Sequence, residues 1–130
     1  MENTKNILVV DDDKATLQII ERILQKRGYN VDVAETGREA EEKVNGKLFD
    51  LALIDVKLPD IDGLDLVEEI HRTKPKMIKI VITGFASVEN GMRAMEVGAD
   101  AYLVKPVTSE ELVSVVEQKL IKHNNTKNAN

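Results

Sequence analysis

A chain of 130 residues is long enough for one domain that buries about two thirds of the surface its unfolded form exposes. With no cysteine, it has no disulfide, no thiolate metal centre and no thiol redox chemistry. A formal charge of −5 at pH 7, with only two tyrosines and two phenylalanines, leaves neither a basic face for phosphates nor a base-stacking platform, which argues against direct nucleic-acid binding.

Met1 to Lys5 is polar, and no window of the chain reaches the length of a signal-peptide core or a membrane span. A soluble, cytoplasmic protein without membrane association is expected. The first apolar run, Ile7 to Val10, predicts a strand and ends at Asp11 and Asp12. Asp13 is placed to cap a first helix in which Leu17, Ile20 and Leu24 recur at helical spacing until Gly28. Tyr29 to Val33 alternates apolar and polar side chains, as a strand with one wetter face does, and is the candidate sheet edge. Its end, Ala34 to Thr36, offers no acid-site group. A short second helix, Gly37 to Val44, leads to a third strand, Leu51 to Ile54, followed by Asp55.

Asp60 and Asp62 are expected to shape the turn around Pro59 and Gly63. The third helix turns Leu64, Leu66, Val67 and Ile70 inward and closes at Pro75, with His71 on a solvated face among Glu68, Glu69 and Arg72. The fourth strand, Ile78 to Ile82, is followed by Thr83. A fourth helix, Ser87 to Val97, carries Gly91 in its middle at a cost of roughly 1 kcal/mol relative to alanine, so it is expected to be less rigid than its neighbours. Met92 and Met95 fit either a core or a partner surface. The fifth strand, Ala101 to Val104, runs into Lys105 and Pro106. Thr108 and Glu111 form a capping-box pattern for a fifth helix that buries Leu112, Val115, Val116 and Leu120, with His123 at its end. Residues 1–123 form the expected domain and 124–130 a polar tail expected to be disordered.

Five strand–helix units in this rhythm predict an α/β domain, a parallel sheet with helices on both faces. Right-handed crossovers bring every strand's carboxyl end to one rim, where such folds bind ligands. Asp11, Asp12, Asp55, Thr83 and Lys105 therefore converge. Carboxylates so close repel one another unless a positive charge sits among them, and a hard divalent cation, Mg²⁺, is the natural partner, with Asp12 and Asp55 as oxygen ligands. The Asp55 carboxylate can then attack phosphorus to form an acyl phosphate, and Lys105 can hold a phosphoryl oxygen.

Four motifs in order, ILVVDDD, LIDVKLPDIDG, VITGFAS and AYLVKP, resemble the receiver domains of two-component response regulators over about Asn6 to Leu120. The resemblance implies a flavodoxin-like doubly wound (βα)5 three-layer sandwich with strand order 2-1-3-4-5. It implies that Asp55 is the phosphoacceptor, that Asp11 orders metal-bound water, and that Asp12, Asp55 and the backbone carbonyl of Lys57 ligate Mg²⁺. Thr83 and Tyr102 would be the switch pair, with Thr83 bonding a phosphoryl oxygen and the Tyr102 ring turning into the space it vacates. Lys105 would pair with the phosphate, and the bond to Pro106 would be cis. The implied donor is a sensor histidine kinase or phosphotransfer protein. The signal would leave through the helix 4–strand 5–helix 5 face to a downstream protein, an output domain or a second copy in a homodimer. Phe85, two residues after Thr83, is expected to shield the acyl phosphate, in a signalling domain rather than a turnover enzyme. A haloacid-dehalogenase-like hydrolase is the rival, since Asp11 to Ala15 loosely imitates its motif, but the chain is short for that fold and no late acidic pair follows Lys105.

Overall fold

The computed structural model describes residues 4–128, with side chains described to Lys122. Its elements are β1 (Asn6–Val10), α1 (Lys14–Lys26), β2 (Asn30–Ala34), α2 (Gly37–Gly46), β3 (Leu51–Ile54), α3 (Gly63–Thr73), β4 (Ile78–Thr83), α4 (Val88–Glu96), β5 (Ala101–Val104) and α5 (Ser109–Asn128). The five strands form one parallel sheet in the order β2-β1-β3-β4-β5. Side-chain alternation sorts the core into two layers. Ile7, Val9, Leu51, Leu53, Ile78 and Ile80 pack on Leu17, Leu24, Leu112 and Val116 of α1 and α5. Leu8, Val10, Ala52, Ile54 and Val81 pack on the other face with Ala40, Leu64, Val67, Ile70 and Ala94 of α2, α3 and α4. Strands covered on both faces must be apolar at nearly every position, which is why β1 and β3 read as continuous runs.

Ends follow local chemistry. Asp13 caps α1 by accepting from the Thr16 amide, and Gly28 closes the following turn at φ +92°. Thr108 and Glu111 cap each other reciprocally at α5, at 3.0 and 2.9 Å. β5 is the second edge of the sheet, as the implied strand order requires, and its apolar Val104 is 52% exposed. One expectation changes. In α5 Val113 is buried and Val115 only half-buried. The α5 backbone runs on through the polar segment to Asn128; residues 129–130 and the His123 side chain lie outside what is described. Among the described residues no helix is long and apolar enough to cross a membrane.

One polar side chain interrupts the second core layer. Lys79, in β4, is 1% exposed, with Nζ 3.0 Å from His71 Nδ1 and 3.9 Å from Asp100 Oδ2. The same carboxylate oxygen accepts from the Lys79 backbone amide at 2.8 Å. His71 is exposed, as expected, but its ring also covers Gly98, whose φ of +106° and lack of a side chain make room for it. Burial pushes the Lys79 ammonium below its ordinary value, with the Asp100 charge opposing. A folded-state pKa below the unfolded one means that this group's contribution to stability is complete only above the unfolded value and is lost as pH falls through the folded one. Lys79→Met, which removes the buried ammonium, is therefore expected to be more stable than the wild type at neutral pH. Urea midpoints of the two should converge as pH rises toward 10.5, the ordinary lysine value; a lower midpoint for Lys79→Met at neutral pH would contradict this.

Candidate functional site

The sheet's hydrogen-bond ladder runs one residue past its strands and fixes the backbone of the acid site. Asp11 N donates to Ala34 O at 3.1 Å, Asp55 N to Val10 O at 3.0 Å, and Lys105 N to Thr83 O at 2.9 Å. Asp11, Asp55 and Thr83 are buried, while Asp12 beside them is exposed. Carboxylate oxygens from Asp11, Asp12 and Asp55 all lie within 4.8 Å of one another. Of the residues expected to converge at this rim, Asp11, Asp12, Asp55 and Lys105 are brought together, and Thr83 ends β4 on the same edge.

Lys105 is the cation among them. Its Nζ lies 2.7 Å from Asp11 Oδ2 and 3.3 Å from Asp55 Oδ2. Burial raises the Asp55 carboxyl above the usual carboxylate range; Lys105 pulls it down and Asp11 pushes it up further. For Lys105 burial works against the charged form but is outweighed by the hydrogen bond to Asp11 and by the charges of Asp11 and Asp55, so its ammonium is held above its ordinary value. One ammonium does not balance three carboxylates. The donor set is hard oxygen only, the geometry is compact, and one acid faces solvent, so the residues fit a small divalent cation of the Mg²⁺ kind.

The segment after Asp55 is a closed loop. Lys57 and Asp62 form an isolated antiparallel bridge, Gly63 N donates to Val56 O at 2.7 Å, and Asp62 caps α3 by accepting from Leu64 N at 2.8 Å. Gly63 has to be glycine, since a Cβ there would overlap the carbonyl oxygen of Asp55. The Lys57 backbone amide reaches the Asp55 carboxylate only at the long limit of 3.4 Å. Asp60, expected to shape this turn, instead reaches across to the start of α2. Its two carboxylate oxygens accept from Gly37 N and Arg38 N at 2.9 Å each. Those bonds hold its carboxyl below the usual range.

Around the acids, Thr83 Oγ1 accepts from the Phe85 amide at 3.0 Å, which leaves its hydroxyl proton available to another acceptor. Phe85 is 57% exposed, and Lys57 Nζ stands 4.7 Å from the centre of its ring, a cation–π contact at the mouth of the site. Tyr102 is half-buried against the second core layer beside Gly91, and among the described residues its hydroxyl is the buried side-chain polar group with no hydrogen-bond partner. The Lys105–Pro106 bond is cis. Met92 and Met95 are exposed rather than core. Two groups were not legible as part of this region: Asp60, and Arg93 of α4, which pairs with Asp62 at 3.6 Å and with Asp65, tying α4 to the start of α3. Their partners lie too far along the chain for any local pattern to reveal them.

The response regulator receiver domain model matches residues 7–117. The transcriptional regulatory protein ZraR of Escherichia coli K12 is 38% identical over 115 residues, 88% of this chain but 26% of its own length. Response regulator MprA of Mycolicibacterium vanbaalenii is 37% identical over 108 residues, 83% of this chain and 47% of its own length. The chain thus spans a quarter to a half of these curated relatives. Among solved structures, a CheY-like response regulator receiver domain protein from Methanospirillum hungatei superposes with a TM-score of 0.94 at 42% identity, covering 95% of this chain and 99% of that one. The beryllofluoride-activated NtrC4 receiver domain dimer gives a TM-score of 0.88 at 34% identity, covering 92% of this chain and 99% of that one. With the same fold and a family match across most of its length, the chain belongs to the receiver domains of two-component response regulators.

Proposed function

We propose that Asp55 accepts a phosphoryl group from a phosphohistidine of a sensor histidine kinase or phosphotransfer protein, and that the modification resets the α4–β5–α5 face. The observation that carries this reading is Lys105 bridging two buried carboxylates, Asp11 and Asp55, with Asp12 alongside. A carboxylate oxygen of Asp55 attacks phosphorus as the P–N bond to the donor imidazole breaks, and the ring nitrogen keeps the electron pair. No general base is needed, because the nucleophile is an ionised carboxylate. Asp12, Asp55 and the Lys57 carbonyl would hold Mg²⁺, with Asp11 acting through water. Bound there, the ion supplies positive charge to the phosphoryl oxygens. Lys105 exchanges Asp55 for a phosphoryl oxygen, and the free hydroxyl proton of Thr83 donates to another.

Phosphorylation replaces one charge by roughly two and adds acceptor oxygens, so it draws Thr83 and Lys105 inward. Tyr102, whose hydroxyl has no partner in its present place, turns into the space near Thr83. The face that responds carries exposed Val88, Met92 and Met95 on α4, Val104 on β5 and Ile121 on α5. An apolar surface of this kind suits a downstream protein, an output domain or a second copy. Relatives described as transcriptional regulators are far longer than this chain, which favours an output domain or partner outside it. Residues 1–123 serve as the receiver unit of a cytoplasmic signalling protein, one that assists its own phosphorylation and dephosphorylation without multiple turnover on free substrates.

Incubation with acetyl phosphate and Mg²⁺ should add the mass of one phosphoryl group to the intact wild type and none to Asp55→Asn. An unmodified wild type would sink the proposal, and steady hydrolysis of phosphate esters would favour a hydrolase. Phe85 and Lys57 together cover the approach of water to the acyl phosphate. Phe85→Ala should lose its phosphoryl group severalfold faster, measured by intact mass after donor removal, and an unchanged lifetime would exclude the shielding role.

A further inference from the structure

We propose that Asp60 is a positioning residue for the phosphoacceptor loop, clamping the segment that carries Lys57 to the N-terminus of α2. The inference rests on the metal and phosphoacceptor reading above and assigns it an anchor that touches neither metal nor phosphate.

Between Asp55 and Gly63 the backbone is held at its base by the Lys57–Asp62 bridge and by the close approach of Gly63 to the Asp55 carbonyl. Its tip, Leu58 to Ile61, would be free to swing if it had no other support. The support is α2. Gly37 N and Arg38 N, two of the amides that a helix leaves without an internal partner, both donate to the Asp60 carboxylate at 2.9 Å. Thr36 Oγ1 takes a third, from Glu39 N at 3.0 Å. The negative carboxylate also sits at the positive end of the helix dipole. Packing reinforces the charge contact: a Cβ on Gly37 would come within 2.5 Å of the Ile61 side chain, so the bare glycine backbone is what lets Ile61 seat on α2. Two independent contacts thus fix the tip of the loop, and Lys57 lies between that tip and the Gly63 N–Val56 O hydrogen bond at its base. Groups that orient a ligand without touching the metal commonly change metal affinity by about tenfold when removed.

The test is Mg²⁺ titration of full-length protein without phosphodonor, followed by the backbone amide shifts of Val56 and Lys57 in NMR. Asp60→Ala should raise the Mg²⁺ concentration for half-saturation by about tenfold, and Asp60→Asn, which keeps one carbonyl acceptor, should recover part of the loss. Gly37→Ala should reproduce the effect from the α2 side with the carboxylate intact. Thr36→Ala, which weakens the same helix end but leaves the loop contacts in place, should lower thermal stability without moving the half-saturation point. Equal half-saturation for wild type, Asp60→Ala and Gly37→Ala would overturn the positioning role while leaving the metal reading standing. A wild type that does not respond to Mg²⁺ would overturn both.

Discussion

The contact on which the rest of this structure depends is the one that Lys105 makes with Asp11 and Asp55 across the carboxyl edge of the sheet. Two buried carboxylates with a third beside them would force apart any loosely held set of loops. Here the backbone on either side is fixed by parallel strands whose apolar residues fill both core layers, so the acids cannot relax away from one another. The single ammonium offsets part of their repulsion. What remains uncompensated is the reason the site favours further positive charge, and the reason that covalent modification there has a mechanical consequence.

That consequence travels through short, physically distinct links. The Asp55 segment is tied to α3 by the Asp62 cap and the close approach of Gly63, and to α2 by Asp60. Arg93 ties α4 to Asp62 and Asp65 at the start of α3. By contrast α4 itself buries only Ala94 fully, and Gly91 lies against the Tyr102 ring. A helix with so little buried surface, held at its flank by an exposed ion pair, is the element a change at Thr83 or Tyr102 can move most cheaply. The stiff parts of the fold hold the acids, and the lightly held part faces outward.

Much of this was legible in the sequence because parallel strands announce themselves and the residue after each one is at the site by topology. Asp11, Asp55, Thr83 and Lys105 each follow an apolar run, and a single rim collects them. The capping residues Asp13 and Thr108 were legible because their partners are three residues away. Asp60 was not, since the amides it accepts from lie more than twenty residues earlier and its neighbours Pro59 and Gly63 suggest only a turn. The edge position of β5 was legible only through the strand order that the resemblance implies, since Ala101 to Val104 is as apolar as a central strand. Lys79 was masked by the aliphatic residues around it, and its polar partners come from α3 and from the connection before β5.

Because burial and Asp11 raise the Asp55 carboxyl, its ionised form is disfavoured by the fold, and the associated stability is present at low pH and lost as pH rises through the folded-state value. The most direct measurement is thermal unfolding of wild type and Asp55→Asn at pH 7, each with and without Mg²⁺. Without the ion Asp55→Asn should melt at the higher temperature, and Mg²⁺ should raise the melting temperature of the wild type far more than that of the variant. A variant that melts lower, or a wild type indifferent to Mg²⁺, would contradict the view that an under-compensated acid cluster is the organising feature of this domain.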